Sequence, residues 1–518
     1  MTTVRTDEIG AHLRPESAGD RLARTIRRFG LTGSLLMAFG ALGAGALPVP
    51  NPLFGIRVLG LPIRNVSAAL TITYLGMGMV VVAWLWLGQR LWAHQRDGTE
   101  RIGGRAVGRA AALWAVPLAI APPLFSTDVY TYLGQEAISL RGLDPYRLGP
   151  AGALGVDDPL VRSIPTIWQH TPAPYGPLFL WVGKLMVPFA EDRLLLGVVA
   201  HRVLALAGLA LIVWALIRLG RRFGADPAVV LWLGVANPMV LFHLVSGVHN
   251  EALMLGLLLA GLEIGFGRSW VGGAVLISAA AMVKLPALLA LGFLGVHLAR
   301  RWGAGNDTGA RPWTQVRLVA AAAVPLGAIA AAVAAVIGWA SGLGFGWLDT
   351  LDGPNAYRSL LSITTDLGRI SGGMGTLAGT GIHTDTVLTL TRGIGGLIAA
   401  VLVVRYLLLA LAGRVDPLAG LGAAYGATVL LLPVVHPWYL LWAILPLAAT
   451  PQLPRWRAVM VAASAVAAVL VPPTGADFNF RPYQLPMSIV AAFVLLVATV
   501  LVARWWAGST RTERTGTG

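Results

Sequence analysis

The stretch "PLFSTDVYTYL" (123–133) closes an apolar run at Phe125 and places Asp128 three residues later, with Tyr130 and Tyr132 just beyond. How that acid is read decides the fold. Of the 518 residues, 56% are hydrophobic and only 12% are charged, whereas soluble domains carry roughly 25% charged residues. Apolar runs recur along most of the chain, the pattern of an all-α polytopic membrane protein. Asp128 then stands at the end of a membrane helix, where a carboxylate calls for an explanation.

Membrane helices are expected at about 31–49, 67–89, 109–124, 194–219, 228–246, 250–267, 271–283, 285–298, 315–340, 386–412, 418–434, 437–450, 456–471 and 486–504, about 12–14 crossings in all. Segment 271–298 contains Lys284-Leu285-Pro286 and is either one kinked helix or a hairpin of two half-spans. Segment 175–190, "YGPLFLWVGKLMVPFA", is short, carries Lys184, and reads as an interfacial helix. With 175–190 in the interface and 271–298 as a hairpin, 26 of the 39 Lys and Arg residues face one side, against 11 of 24 Asp and Glu. The positive-inside rule counts Lys and Arg rather than net charge. That side is therefore the cytoplasm, with both termini on it. The layout is a cytoplasmic N-terminus (1–30), one membrane domain (31–504) with outer loops 125–193 and 341–385, and a cytoplasmic tail (505–518). Asp7, Glu8, Glu16 and Asp20 ahead of the first span argue against a cleavable signal peptide. The net charge of +15 is explained by cytoplasmic arginines, and no basic run interleaved with aromatics suggests nucleic acid. Cysteine is absent, which excludes disulfides and thiolate chemistry.

With this orientation the unusual polar clusters fall on the outer face. They are Asp128, "HTPAPYGP" (170–177), "SGVHNEA" (246–252), Lys284, "GFGWLDTLDGPNAYR" (344–358), "VVHPWYLLW" (434–442) and "DFNFRPYQ" (477–484). Ionisable residues at membrane depth are costly and tend to mark function. Each also has a plainer reading. Asp128 suits the N-cap of an interfacial helix starting near Val129. His170 suits a solvated loop. Tyr130, Tyr132, Tyr175, Trp438 and Tyr439 suit an interfacial aromatic belt. His249-Asn250-Glu251 suits a helix start. Lys284, Arg202 and Arg392 suit side chains reaching for headgroups. Glu263 lies toward the cytoplasmic end of its span and is set aside.

Taken together, the residues on this face suit one chemistry. Basic side chains hold a lipid-linked phosphate, aromatic rings stack on sugar or isoprenoid, and a carboxylate accepts a proton from an attacking hydroxyl. That describes transfer of a sugar from a lipid-phosphate donor. No GxxxxGK[ST] or HExxH occurs. No cofactor is expected, although Asp and His leave a divalent metal open.

The segments "FSTDVYTYLGQEAISLRGLDPYRLGP" (125–150), "TPAPYGPLF" (171–179), "NPMVLFHLVSGVHNEALMLGL" (237–257), "AMVKLPALLAL" (281–291) and "HPWYLLWAILP" (436–446) resemble the actinobacterial polyprenyl-phosphate-mannose-dependent α-1,6-mannosyltransferases of the MptA/MptB type, in the glycosyltransferase-C superfamily. The resemblance runs in order from about 100 to 450, and the conjunction of FSxDxYxY, PYGP and GxHNE carries it. It implies a glycosyltransferase-C fold with interfacial helices in a large first outer loop. It also implies a plasma-membrane enzyme that uses polyprenyl phosphomannose to extend the α-1,6-mannan backbone of lipomannan and lipoarabinomannan on the outer face, with inversion. The essential carboxylate of the superfamily maps to Asp128, the basic residue near the donor phosphate to Lys284, and a late outer-loop histidine to His436. Many superfamily members carry a second acid beside the first. Here Thr127 stands there, which puts a two-acid metal site in doubt.

The expected roles are Asp128 as base; Tyr130, His170, Tyr175, His249, Asn250, Glu251, Trp438 and Tyr439 around the sugars; and Lys284, His436, Arg202 and Arg392 toward the donor phosphate. The expected partners are a polyprenyl-phosphate-mannose donor, a lipid-linked mannan acceptor and membrane lipids. The alternatives are the same fold with glucose or arabinofuranose, a lipid-sugar flippase, or a scaffold without chemistry.

Overall fold

The structure, a computed structural model, describes residues 18–97, 102–190, 193–303, 312–350, 362–377, 383–451, 453–474 and 483–515. Most of "DFNFRPYQ" and the latter half of "GFGWLDTLDGPNAYR" lie outside the described residues. The chain runs through α1 (Ala18–Ala44), α2 (Leu61–Arg64), α3 (Val66–Asp97) and α4 (Gly104–Ile120). Short helices follow: α5 (Asp128–Leu140), α6 (Pro150–Leu154), α7 (Pro159–Ser163), α8 (Thr166–Gln169) and α9 (Pro177–Lys184). Next come α10 (Leu194–Phe223), α11 (Pro227–Gly234), α12 (Glu251–Gly267), α13 (Trp270–Ala281), α14 (Leu289–Gly303) and α15 (Pro312–Ser341). The C-terminal part holds α16 (Ile363–Leu377), α17 (Thr384–Leu411), α18 (Pro417–Leu431), α19 (Leu440–Ala448), α20 (Pro454–Leu470) and α21 (Gln484–Thr515). Among the described residues there is no strand.

The protein is an all-α polytopic membrane protein. By length and composition, α3, α10, α15, α17 and α21 can each cross a bilayer. The π-helical turn Val240–Ser246 and α12 reach that length together across a 110° bend. The first expected span, 31–49, overlaps α1, which has 27 residues; of the remaining expected spans, α4 and α20 are helical but shorter, with 17 residues each. The expected interfacial segment 175–190 contains α9, whose eight residues are too few to cross. Segment 271–298 breaks at Met282–Lys284, so α13 and α14 are separate helices with Lys284 at the break. Among its described residues, the expected outer loop 341–385 holds a 3-10 turn, Gly346–Leu348, and a further helix, α16, which packs on α17. Its Gly368 and Gly372 permit that approach: a Cβ on Gly368 would lie 2.9 Å from Leu388 Cα, and one on Gly372 2.7 Å from Thr384 Cα.

Local chemistry sets the helix starts. Asp158 and Asp226 accept the N–H of Leu160 and Ala228, each with proline in the first helical position, and Ser269 accepts that of Gly272. Between membrane helices little hydrophobic force remains, so close packing of small residues does the holding. Gly208 of α10 lies directly on the Ala252 carbonyl, and a Cβ on Gly256 of α12 would sit 2.6 Å from the Gly208 carbonyl oxygen. Deeper in, Trp84 and Trp232 each donate an indole N–H to the other's backbone carbonyl at 2.9 Å while their rings stack. At the far end of α12, Glu263 takes Arg218 and Arg222 at 3.1 and 3.2 Å. This pairing gives that buried carboxylate a structural role.

Gly256→Leu should force α10 and α12 apart and cost roughly 1–3 kcal/mol, as overpacking does. Thermal unfolding in detergent should show the loss, whereas Gly327→Leu, where nothing lies within 4 Å of the new Cβ, should unfold like the parent.

Candidate active site

Asp128 is the first residue of α5. Thr127 occupies the N-cap and makes no side-chain capping bond. The Asp128 carboxylate faces across the structure instead, with Oδ2 3.3 Å from His249 Nδ1. The two meet because the chain turns sharply on both sides. Phe125 and Val248 adopt φ of 71° and 57°, left-handed values that cost a residue with a side chain about 1–3 kcal/mol. Phe125 is held there by an N–H bond to the Pro473 carbonyl and by stacking on Phe242. Val248 sits in the 110° bend that delivers His249, Asn250 and Glu251.

"HPWY" supplies the aromatic floor. The Trp438 indole stacks on His249 with centroids 3.9 Å apart and on His436 at 4.5 Å. His243, from the π-helical turn, lies 5.2 Å from the same indole. Burial alone would raise the Asp128 carboxyl. His249 and, to a lesser degree, His436 and Ser126 outweigh it and hold the group below its ordinary value. His436 is itself pushed down to about 4 by burial, so it is neutral at physiological pH.

Beside this lies a caged cation. Lys284 Nζ bonds Glu251 Oε1 and lies 3.3 Å from the Tyr439 hydroxyl. It also stands 4.5 Å from the Tyr439 ring centroid, 5.8 Å from Trp442 and 6.0 Å from Tyr175. Burial works against the ammonium, yet Glu251 more than compensates and its pKa is raised. The PYGP loop reaches this place through backbone contact. Gly176 and Leu178 donate their N–H groups to the Val283 and Met282 carbonyls, and Gly176 abuts Met282 with no room for a Cβ. Tyr146 donates to the Tyr175 carbonyl at 3.1 Å and fixes the loop from behind.

The cluster leaves several buried polar atoms without a hydrogen-bond partner: Asn250 Oδ1 and Nδ2, Glu251 Oε2, His249 Nε2 and both ring nitrogens of His243. Buried polar atoms are normally paired, so this arrangement suits a ligand rich in hydroxyls. Among the described residues, no three His, Asp or Glu side chains are grouped to hold a metal ion.

The chain's sequence matches the family model for the alpha-(1->6)-mannopyranosyltransferase N-terminal domain over residues 27–300. The chain belongs to the alpha-(1->6)-mannopyranosyltransferase family. The MptB C-terminal domain model matches residues 364–502. A probable alpha-(1->6)-mannopyranosyltransferase of Mycolicibacterium smegmatis is 44% identical over 506 residues, 92% of this chain and 88% of the relative. One from Mycobacterium tuberculosis is 42% identical over 92% of this chain and 87% of its own length. Alpha-(1->6)-mannopyranosyltransferase B of Corynebacterium glutamicum is 36% identical over 93% and 81%. No solved structure matches the chain.

Within this family member, the structure draws Asp128, Tyr175, His249, Asn250, Glu251, Lys284, His436, Trp438 and Tyr439 into one neighbourhood. Other expected residues lie elsewhere. The Tyr130 hydroxyl donates to the Ala46 carbonyl. His170 is exposed at the C-cap of α8. Arg392 Nε donates to Thr365 Oγ1 at 3.1 Å. Arg202 is buried, and its guanidinium donates to the carbonyls of Ala119, Ala121 and Ser246. Its two terminal nitrogens tie α4 to the bend through these three carbonyls, while its buried Nε has no hydrogen-bond partner. Sequence reasoning did not single out His243, Trp442 or the buried Glu136–His201 pair at 3.0 Å. These residues sit inside apolar stretches, and only the fold shows what they touch.

Removing one partner of a buried ion pair strands the other. Lys284→Met and Glu251→Gln should each lower stability by about 3–5 kcal/mol, and the double variant should recover much of it. Unfolding of the three proteins in one detergent would reveal that non-additivity.

Proposed function

We propose that the protein transfers mannose from a polyprenyl-phosphate-mannose donor to a hydroxyl of a lipid-linked mannan acceptor, forming an α-1,6 bond with inversion. The relatives' names support mannosyl transfer. The single observation that carries the chemistry is that a carboxylate, Asp128, and a caged cation, Lys284, share one cluster: Asp128 meets His249, which stacks through Trp438 to His436, and His436 meets the Tyr439 ring beside Lys284.

The acceptor hydroxyl gives its proton to Asp128 as its oxygen bonds the anomeric carbon. The bond from that carbon to the phosphate oxygen breaks, and its electron pair leaves on the phosphate. Lys284 stabilises that charge, with His436 and Tyr439 beside it. Tyr175 presents its ring to the sugars, Trp438 holds His249 and His436 beside them by stacking, and Asn250, His249 and Glu251 offer donors and acceptors. The proton on Asp128 then passes to solvent, to which 22% of its side chain is open. The clustering of basic residues on the opposite side of the spans supports an outer-face site in the plasma membrane, with cytoplasmic termini. A flippase is the second reading. The 110° break favours it, since transporters often bind substrate at discontinuous helices.

Asp128→Asn should lower turnover by about 10²–10⁴-fold, the usual worth of general base catalysis, while donor binding persists. Retained transfer would remove Asp128 from its role. Formation of a new glycosidic bond by purified protein in detergent, where no bilayer separates two compartments, would tell against the flippase. Transfer from a polyprenyl-phosphate glucose or arabinose alone would sink the mannose assignment.

The pH profile gives an independent test. The base works while ionised, and its pKa is depressed, so activity should persist as pH falls and fail only below the ordinary carboxylate value of about 4. His249→Ala removes the main depressing partner and should move that acidic limb of kcat/KM upward.

A further inference from the structure

The face of α5 turned away from Asp128 borders a second concavity. At about 100° per residue, Leu133, Ala137, Leu140 and Arg141 lie about 120–220° around the helix from Asp128. They wall a groove of about 850 Å³, closed by the proline-rich loop 48–52, α7 and the start of α10. Ligand pockets run from roughly 300 to 1,000 Å³. Among the described residues that line it, Arg141, Asp158 and Arg193 are the polar ones; the rest are Pro, Val, Leu and Ala. Asp158 is occupied as the cap of α7, accepting the Leu160 N–H at 2.8 Å, and meets Arg141 only at 3.9 Å. Among the described residues the groove therefore joins apolar walls to a rim with two arginines and one carboxylate, a fit for a hydrocarbon chain ending in a phosphate.

We infer that this groove holds the phosphate-bearing lipid anchor of the acceptor. The inference rests on the proposed transfer between two lipid-borne substrates. Two such substrates need apolar sites that do not overlap, each with its own cation for a phosphate. Lys284 serves the donor, and α5 stands between that cluster and the groove. From Asp128 to Arg141, α5 rises about 20 Å at 1.5 Å per residue. A glycan of several sugars spans that distance from the anchored phosphate to the base, while a single sugar does not.

The test uses full-length protein and two acceptors: a mannan oligosaccharide joined through a phosphodiester to dipalmitoylglycerol in mixed micelles, and the same oligosaccharide without the lipid. In Arg141→Gln/Arg193→Gln, both sites being exposed, KM for the anchored acceptor should rise about tenfold or more. Donor KM, kcat and KM for the unanchored acceptor should stay unchanged. Ala137→Trp, which fills the groove, should act in the same direction. Equilibrium binding of the anchored acceptor to Asp128→Asn protein, with and without the arginine substitutions, reads the site without turnover. Unchanged affinity there, or an equal loss with the unanchored acceptor, overturns the inference. Wild-type protein that binds the anchored acceptor at this groove yet forms no product would instead count against the proposed transfer.

Discussion

One buried guanidinium brings the two halves of the site within reach. Arg202 donates to the carbonyls of Ala119 and Ala121, at the end of α4, and to Ser246, where the π-helical turn gives out. Both places leave backbone carbonyls without helical partners, which is costly where water is scarce. One planar donor answers both needs. The segment after Ala121 leads to Asp128, and the segment after Ser246 leads to His249. The same clamp that satisfies the two chain ends therefore sets the distance between the carboxylate and its histidine.

The rest of the site follows from that juncture. Left-handed Phe125 and Val248 turn their segments inward, and stacking and backbone bonds from distant residues hold the strain. The glycine contact between α10 and α12 brings the bend close to the helix that carries Arg202. Trp438 then completes the wall, stacked on two histidines at once. Rings packed this way have little freedom to reorient, which on the proposed reading suits the movement of a proton between fixed atoms.

Much of this was legible in the sequence. Apolar runs gave the helices, and the polar segments around Asp128, His249, Lys284 and His436, expected on one face, meet in the structure. Asp128, His249 and Lys284 stood out because charge is rare in such surroundings. What stayed hidden depended on tertiary contact. Arg202 reads as a phosphate ligand until its carbonyl partners are known. Tyr130 sits beside the carboxylate in sequence, but helix geometry sends its hydroxyl to Ala46. His243 is one more polar residue in an apolar run until the indole beneath it appears. α16 was missed because its composition, with Gly372 and Gly373 together, suits a loop; contact with α17 makes it a helix.

The pairing of Lys284 with Glu251 bears on how a catalytic cycle ends. In the resting cluster one ammonium has one carboxylate. A sugar phosphodiester carries a single negative charge, and the lipid phosphate left after transfer gains a second ionisable oxygen. On the proposed reading, Lys284 therefore leans farther from Glu251 toward the discharged carrier than toward the loaded one. On that reading the spent lipid is the tighter ligand, and it must leave for the bilayer before the next donor binds. Glu251 is placed to reclaim the ammonium and hasten that exit.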